Sequence, residues 1–284
     1  MKENETILME HEFNLSDFAL FLSVMKNPRA YQCVLSVFME EPDIELEEVK
    51  VEQVILNKVG KRAIRLDAWA KSTDQRQFNM EMQNDAQKDD VKKRSRYYQG
   101  LIDSPILKSG KKTKYKNLPS TVIIFITQED IFGRDLAKYT FTERCKEIED
   151  LELEDGTTKI FLNMASKNGT PELISMLQYI KQTRIDNPEI IVKDSRILEL
   201  DEIVTEVKCS EEWEAVKMNI LEVGIQQGIQ QGIQQGLHQK LIELVGKKLE
   251  KGFSVPEIAD MLEESEETIE KVIEEMKKRT NGIQ

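Results

Sequence analysis

The chain has 284 residues, of which 39% are hydrophobic and 32% are charged, a composition typical of soluble globular proteins. No apolar run approaches the roughly 20 residues that a membrane-spanning helix needs, so we expect no membrane partner. The polar and acidic first residues, Met1 to His11, do not look like a secretion signal. The expected compartment is therefore the cytoplasm.

The few cysteines and histidines restrict the chemistry that is open to this chain. Cys33, Cys145 and Cys209 are scattered and form neither a disulfide framework nor a CxxC metal pair. His11 and His238 lie at opposite ends, which makes a zinc site or a Ser/His/Asp triad hard to build. If the protein is an enzyme, carboxylates and a hard metal ion are the groups that remain.

The net charge of −12 argues against a protein coated in nucleic acid, but the charge is unevenly distributed. From Lys61 to Lys116 there are 15 Lys or Arg and 7 Asp or Glu, a local charge of +8. From Ser254 to Glu275 there are nine acids and one lysine, a local charge of −8. A basic central segment between acidic flanks favours a local phosphate-binding face.

Apolar residues at helical spacing predict one or two helices over Asn14–Glu41, with Ser16 and Asp17 as N-terminal caps and a break at Pro28. Beyond them the hydrophobic period changes to two, which is typical of strands. Three strands are expected, over Glu48–Lys58, Arg62–Ala70 and Gln77–Gln83.

Two acids lie within the second and third predicted strands. Asn79, Glu81 and Gln83 share one face of the third strand, because alternate residues of a strand point the same way. A hairpin between the two strands would bring Asp67 beside Glu81. The spacing alone is equally compatible with two solvent-facing strand residues, so it leaves both interpretations open.

The next part of the chain completes an α/β pattern. Lys88–Ile102 is expected to be a basic helix and Lys108–Lys116 a basic loop, while the apolar run Thr121–Thr127 predicts a central strand. Further elements are expected over Tyr139–Asp150, Lys159–Asn163 and Pro171–Gln182.

From Ser210 the pattern changes. A helix is expected over Glu211–Val223, followed by a Gly-Ile-Gln-Gln repeat that starts at Gly224 and reaches Gly236. Glycine costs up to about 1 kcal/mol per residue in a helix, so the repeat either pairs with a second helix or serves as a linker. We favour homo-oligomer formation through residues 224–236.

The C-terminal residues resemble a helix-turn-helix. Two helices are expected, one capped by Ser254 and Glu257 and one over Ser265–Lys278, but their acidic charge favours packing or protein contact over groove binding. The expected domains are residues 1–209, 210–237 and 238–284.

Short motifs are spread over most of the chain: Asp17-Phe18, RLDAW (Arg65–Trp69), FNMEMQ (Phe78–Gln83), KRSRYYQ (Lys93–Gln99), VIIFI (Val122–Ile126) and DIFG (Asp130–Gly133). In this order they resemble the PD-(D/E)XK nuclease family transposases, also called Rpn family recombination-promoting nucleases. The resemblance implies a restriction-endonuclease-like α/β core, a mixed sheet flanked by helices, with a helical C-terminal extension.

The resemblance also implies roles for particular residues. Asp67 and Glu81 would bind Mg²⁺ or Mn²⁺, and Gln83 would take the place of the superfamily's lysine and orient water through its amide. Related sequences often carry an acid near Ser36 in the first helical region. If that acid is a metal ligand, its absence would weaken the site.

The basic helix is the expected DNA contact. Lys93, Arg94 and Arg96 could contact phosphates and Tyr98 could hydrogen-bond or stack, although a solvated face with a tyrosine in the core would give the same pattern. Together with these residues, the resemblance implies a metal-dependent DNA endonuclease associated with recombination or transposition. The alternative is a catalytically weakened DNA-binding or protein-interaction scaffold with a nuclease fold.

Overall fold

The computed structural model describes residues 12–56, 62–85, 89–107 and 114–281. These residues form two compact units, one that ends at Val216 and one that begins at Lys217. Within the described residues, no helix is both long enough and apolar enough to cross a membrane.

The first unit is built on a six-stranded mixed sheet with the order β1-β2-β3-β4-β6-β5. The strands β1, β2 and β3 pair antiparallel, β3, β4 and β6 pair parallel, and β5 joins the edge antiparallel to β6. The strands are β1 (Leu46–Ile55), β2 (Ile64–Ser72), β3 (Gln77–Gln83), β4 (Thr121–Thr127), β5 (Lys138–Phe141) and β6 (Thr157–Asn163).

Helices flank this sheet, as predicted for an α/β core. Those of the first unit are α1 (Phe18–Met25), α2 (Pro28–Met39), α3 (Val91–Asp103), α4 (Pro171–Lys181) and α5 (Ser195–Lys208), with a 3-10 turn at Tyr115–Asn117. The helices α1 and α2 contact β1, and both α4 and α5 pack against α2.

The two faces of the sheet differ in what they pack against. One face packs against α3 through a cluster that includes Tyr98, Ile123, Phe125 and Phe161. The other face is lined by side chains that are not accessible to solvent: Ala68, Ala70, Phe78 and Met80. Burial of both faces explains why the central strand β4 is almost continuously apolar.

The helix α2 is joined to the second of these faces by one hydroxyl group. The Tyr31 hydroxyl donates to the main-chain oxygen of Ala68 at 3.2 Å and to that of Phe78 at 3.4 Å. Tyr31 itself is fully buried, so this contact fixes α2 against the hairpin of β2 and β3.

The second unit is helical and has a small core of its own. The helix α6 (Glu211–Glu250) continues into it from the first unit and is followed by α7 (Val255–Leu262) and α8 (Glu266–Asn281). The Glu257 carboxylate accepts from the Ser254 amide at 2.8 Å, which confirms the predicted cap. The core consists of Ile242, Val245, Ile258, Ala259, Ile269 and Val272.

The sequence-based elements agree with the structure best where the pattern is strongest. Gln77–Gln83 and Thr121–Thr127 have their predicted bounds. The region predicted at Tyr139–Asp150 is β5 followed by chain without a regular element up to β6, apart from an isolated Arg144–Glu152 bridge. The helix α5 was not predicted.

Candidate functional site

The hairpin of β2 and β3 brings Asp67 beside Glu81. The paired positions farthest from the turn of this hairpin are Ala68 on β2 and Met80 on β3. Each acid lies one residue farther from the turn than its neighbour in this pair. The Asp67 amide donates to Glu81 Oε1 at 3.0 Å, and the Met82 amide donates to Asp67 Oδ2 at 3.1 Å. Each carboxylate is therefore held by the other strand's backbone.

Neither acid faces solvent. Asp67 is 6% exposed and Glu81 is 0% exposed, which excludes the interpretation of both as solvent-facing strand residues. Glu81 pairs with Phe125 of β4 in the parallel register, and this places it on the face covered by α3. Buried carboxylates are costly unless they are paired or bind a metal, so their presence in the core requires compensation.

Arg94 of α3 provides part of that compensation. Its Nη2 atom lies 2.5 Å from Glu81 Oε2 and its Nη1 atom donates to Gln83 Oε1 at 2.7 Å. The helix begins at Val91 and is capped by Asp90, whose side chain accepts from the Lys93 amide at 3.0 Å. Arg94 therefore lies in the first turn of α3.

Gln83 completes one side of the site. It accepts from Arg94 and donates from Nε2 to the Asp85 main-chain oxygen at 2.6 Å. Its amide therefore connects α3 to the chain that leaves β3. The role in orienting water that the resemblance implies for this amide stays a prediction.

Asn79 also belongs to the site, although no role was predicted for it from the sequence. Its Nδ2 atom donates to Glu81 Oε1 at 2.9 Å, and its own Oδ1 atom is buried with no hydrogen-bond partner in the part of the chain that is described. The period of two along β3 was the signal, because Asn79, Glu81 and Gln83 share a face. A buried amide oxygen without a partner, next to two carboxylates, can still accept a hydrogen bond or bind a cation.

Burial shifts the ionisation of both acids in the same direction. It raises the pKa of Asp67 from 3.8 to about 7, and the nearby Glu81 carboxylate adds to the rise. Burial also raises the pKa of Glu81, although Arg94 and the hydrogen bond from Asn79 oppose that rise. The pKa of Arg94 is raised by Glu81 in spite of burial, so the guanidinium stays charged.

The carboxylate oxygens of the site fit a hard divalent cation in their chemistry. Among the described residues, no group of three His, Cys, Asp or Glu side chains converges as a metal site. Two carboxylates converge instead, and no described residue donates to Asp67 Oδ1. Mg²⁺ is commonly held by one or two carboxylates while keeping several waters, so Asp67 and Glu81 would suffice as its protein ligands.

The predicted DNA-contacting residues occupy different environments. Lys93 is exposed and pairs with Asp90 at 3.1 Å, and Arg96 is also exposed. Tyr98 is buried in the core beside Phe125, with its hydroxyl 3.5 Å from the Arg65 main-chain oxygen. A DNA contact by Lys93 or Arg96 stays a prediction, and most of the basic loop, residues 108–113, lies outside the described residues.

Ser36 lies apart from the acid pair. Its hydroxyl donates to the Cys33 main-chain oxygen at 3.0 Å. It lines a surface cavity with Arg29, Arg196 and Glu199, among others, and that lining includes neither the two acids nor Gln83. The cavity that Ser36 lines is therefore not the site of the Asp67 and Glu81 pair.

Comparisons with known proteins give one family and no individual relative. Comparisons with curated proteins and with solved structures gave no match. A family model described as PD-(D/E)XK nuclease family transposase matches residues 17–215, which include all six strands of the sheet and every residue of the site. The chain belongs to the PD-(D/E)XK nuclease family of transposases.

Proposed function

We propose that this protein is a metal-dependent endonuclease that hydrolyses phosphodiester bonds of DNA during recombination or transposition. The observation that carries the proposal is the buried pair Asp67 and Glu81, held together by main-chain hydrogen bonds at 3.0 and 3.1 Å. A family of nucleases supplies the reaction class. Members of that superfamily generally use a divalent metal, and the buried acid pair supports a metal site at this position.

The ion that we propose is Mg²⁺ or Mn²⁺, held by Asp67 and Glu81. When bound, such an ion supplies an activated water and shields the charge of the phosphate. The chain's own part is to hold the two carboxylates in fixed positions. It does so through the amides of Asp67 and Met82, the amide group of Asn79 and the guanidinium of Arg94.

The surface next to the site supports a nucleic-acid substrate. The α3 helix carries Lys93 and Arg96 on its exposed surface, within the segment that has a local charge of +8. Cations in such a patch bind the phosphate backbone without reading sequence. We propose that DNA approaches the acid pair across this end of α3.

The proposal is tested by plasmid nicking in Mg²⁺ and in Mn²⁺. The wild-type protein should nick, whereas Asp67→Ala and Glu81→Ala should lose nicking at equal protein concentration. Glu143→Ala, which removes an exposed acid from the connection that follows β5, serves as the matched control and should nick like the wild type. Equal nicking by all four proteins would show that the activity does not come from this site.

A second candidate function is DNA binding without cleavage. Two observations favour it: Glu81 is 0% exposed with both oxygens hydrogen-bonded, and no third acid joins the pair among the described residues. A protein of this kind would shift DNA in a gel at low salt but leave plasmid intact even in Mn²⁺. These two results together would show that the protein binds DNA as a scaffold and is not a nuclease.

A further inference from the structure

The acid pair holds more negative charge than Arg94 can balance. With both carboxylates ionised, the three side chains Asp67, Glu81 and Arg94 carry a net charge of −1 in a buried site. A phosphodiester brings one more negative charge, and that charge increases as a nucleophile attacks. The contacts of Arg94 therefore bear directly on the proposed reaction.

Arg94 is held on several sides. Its two terminal nitrogens bind Glu81 Oε2 at 2.5 Å and Gln83 Oε1 at 2.7 Å. The guanidinium carbon lies 4.9 Å from the ring centre of Tyr98 and 5.3 Å from that of Phe125. A guanidinium fixed by two acceptors and two rings has little rotational freedom left to lose when it binds a ligand.

Arg94 is the member of this ion pair that solvent reaches. Its side chain is 21% exposed, whereas Glu81 is not exposed at all. A phosphate that approaches from solvent can therefore contact the Arg94 side chain but not Glu81. The planar guanidinium fork matches the geometry of two phosphate oxygens.

Gln83 is committed to holding this arrangement. Its amide oxygen accepts from Arg94 and its amide nitrogen donates to the Asp85 main-chain oxygen at 2.6 Å. A glutamine carries no charge of its own, but here it fixes the position of a residue that does.

We infer that Arg94 is a catalytic residue that supplies the positive charge beside the scissile phosphate, and that Gln83 is its positioning residue. The inference rests on the proposed nuclease function and adds to it the group that stabilises negative charge in the transition state. Preorganised cations aimed at developing charge are among the largest contributions to catalysis. A divalent ion on Glu81 would compete with Arg94 for the same carboxylate, which gives the inference a consequence for metal affinity.

The first experiment uses Arg94→Gln in the full-length protein and measures two quantities. Single-turnover nicking should slow by about 10²-fold or more, as when one preorganised donor is removed from a site. Mn²⁺ affinity, measured by calorimetry on the metal-free protein, should rise, because a competing cation has left Glu81. A role limited to holding the fold would lower both quantities together.

The second experiment is a rescue. In the Gln83→Lys, Arg94→Gln double variant, a lysine ammonium can reach the position that the guanidinium leaves, and nicking should recover at least tenfold over Arg94→Gln. Arg94→Lys keeps the charge but not the fork and should fall between wild type and Arg94→Gln. Arg144→Gln, an exposed arginine paired with Glu152 beyond edge strand β5, is the matched control.

Four outcomes overturn the inference. If Arg94→Gln nicks as fast as wild type, Arg94 has no role in the reaction. If the variant nicks faster, Arg94 only hinders metal binding at Glu81. A double variant that folds but shows no recovery excludes the role of charge. If the wild type never nicks, the proposed function fails. If the Mn²⁺ affinity of Arg94→Gln is then also unchanged, Arg94 and the metal ion do not compete for Glu81, and the inference fails as well.

Discussion

Asp67 is a residue whose environment disfavours the charged form that the proposed reaction needs. It is 6% exposed, lies against Glu81, and has a pKa of about 7 in the fold against an ordinary value of 3.8. Binding sites often contain such groups, because the fold tolerates a local cost where a ligand will later offset it.

The first prediction concerns stability in the absence of metal. Asp67→Asn should be more stable than wild type at pH 8 in EDTA by roughly 2 kcal/mol, because the asparagine keeps an oxygen for the Met82 amide and removes a buried charge. The measurement is urea unfolding followed by fluorescence.

The sign of the pH dependence follows from the raised pKa of Asp67. Protonation favours the fold, so wild type loses stability as the pH rises from about 4 to about 7, and Asp67→Asn does not lose this contribution. The advantage of the variant should shrink below pH 7 and vanish below about pH 4. A variant that is less stable at pH 8 would contradict the account of Asp67.

Asp130 shows the opposite shift. Burial raises the pKa of the Asp130 carboxyl, but hydrogen bonds lower it further, to about 2. The donors are the Phe132 and Asp135 amides and the Tyr139 hydroxyl. The carboxylate therefore organises the turn that leaves β4.

The second prediction is that Asp130→Asn lowers the melting temperature by a few degrees at pH 7. A depressed pKa stabilises the fold above the unfolded value near 3.8, and that contribution is lost as the pH falls towards 2. The difference between wild type and variant in thermal unfolding should be constant above about pH 5 and disappear near pH 2. A constant difference down to pH 2 would assign the effect to something other than the charge.

At the scale of residues, the sequence predicted that Asp67, Glu81 and Gln83 lie together, but it gave Asn79 no role and did not predict how these side chains contact one another. Asp67, Glu81 and Gln83 could be predicted because strand periodicity and a resemblance point to the same positions. The contact of Arg94 with Glu81 could not, because the crossing of α3 over the sheet depends on tertiary packing. A cation on a helix looks the same in sequence whether it faces DNA or a buried acid.

Among the elements, α6 is the one whose composition fits its conformation least well. It is helical through the whole Gly-Ile-Gln-Gln repeat. A Cβ atom built at any of the four repeat glycines from Gly224 to Gly236 meets no atom within 4 Å beyond the local helix backbone. The apolar side chains of Ile229 and Ile233 are 59% and 57% exposed. We propose that a second copy of the helix packs on this stretch.

The third prediction tests that proposal by replacing all four repeat glycines with alanine. Alanine should make each isolated helix more stable, by up to about 1 kcal/mol per position, since it restricts the unfolded chain. It should also weaken association, because the added methyl groups stop two helices from approaching closely. Circular dichroism measures the stability of the helix, and light scattering measures the molecular mass. The same molecular mass for wild type and variant would count against self-association through this stretch.

The strands were predicted more accurately than α5. The runs that form β3 and β4 are bounded by polar residues and are buried on both faces, so pattern and structure coincide. The helix α5 was missed although Ile197, Leu200, Ile203 and Val204 are buried at helical spacing. The acidic residues between these apolar positions made the helical spacing hard to recognise in the sequence.

For the whole molecule, the division into two units and the uneven charge lead to the fourth prediction. A chain that ends at Val216 keeps the sheet, the site and the packing of Trp213 on Phe13, whose ring centroids lie 5.1 Å apart. It should unfold cooperatively and bind DNA more tightly than the full chain at low salt, because the removed residues 217–284 carry twelve acids against nine Lys or Arg, a net charge of −3. The difference should narrow as salt screens it.

Fluorescence anisotropy at several salt concentrations measures this difference. The truncated chain has to show the same Mg²⁺-dependent nicking as the full chain for the site to be complete within the first unit. A fragment that does not fold, or that binds DNA no more tightly at low salt, would contradict this division of roles.

The sheet order also belongs to this scale. The hairpin of β2 and β3 follows from a short polar turn, so its pairing could be expected from the sequence. The parallel pairing of β3 with β4 joins strands separated by α3, and the insertion of β6 between β4 and β5 follows no local signal. Long-range pairing is decided by the packing of the whole sheet.

The most direct test of the central claim is anomalous diffraction from crystals grown with Mn²⁺. We predict one strong peak at about 2.2 Å from carboxylate oxygens of both Asp67 and Glu81, and no peak at this position in Glu81→Gln crystals. A Mn²⁺ peak bound elsewhere, or none at this pair in crystals that hold the ion, would contradict the assignment of these two acids as the metal ligands.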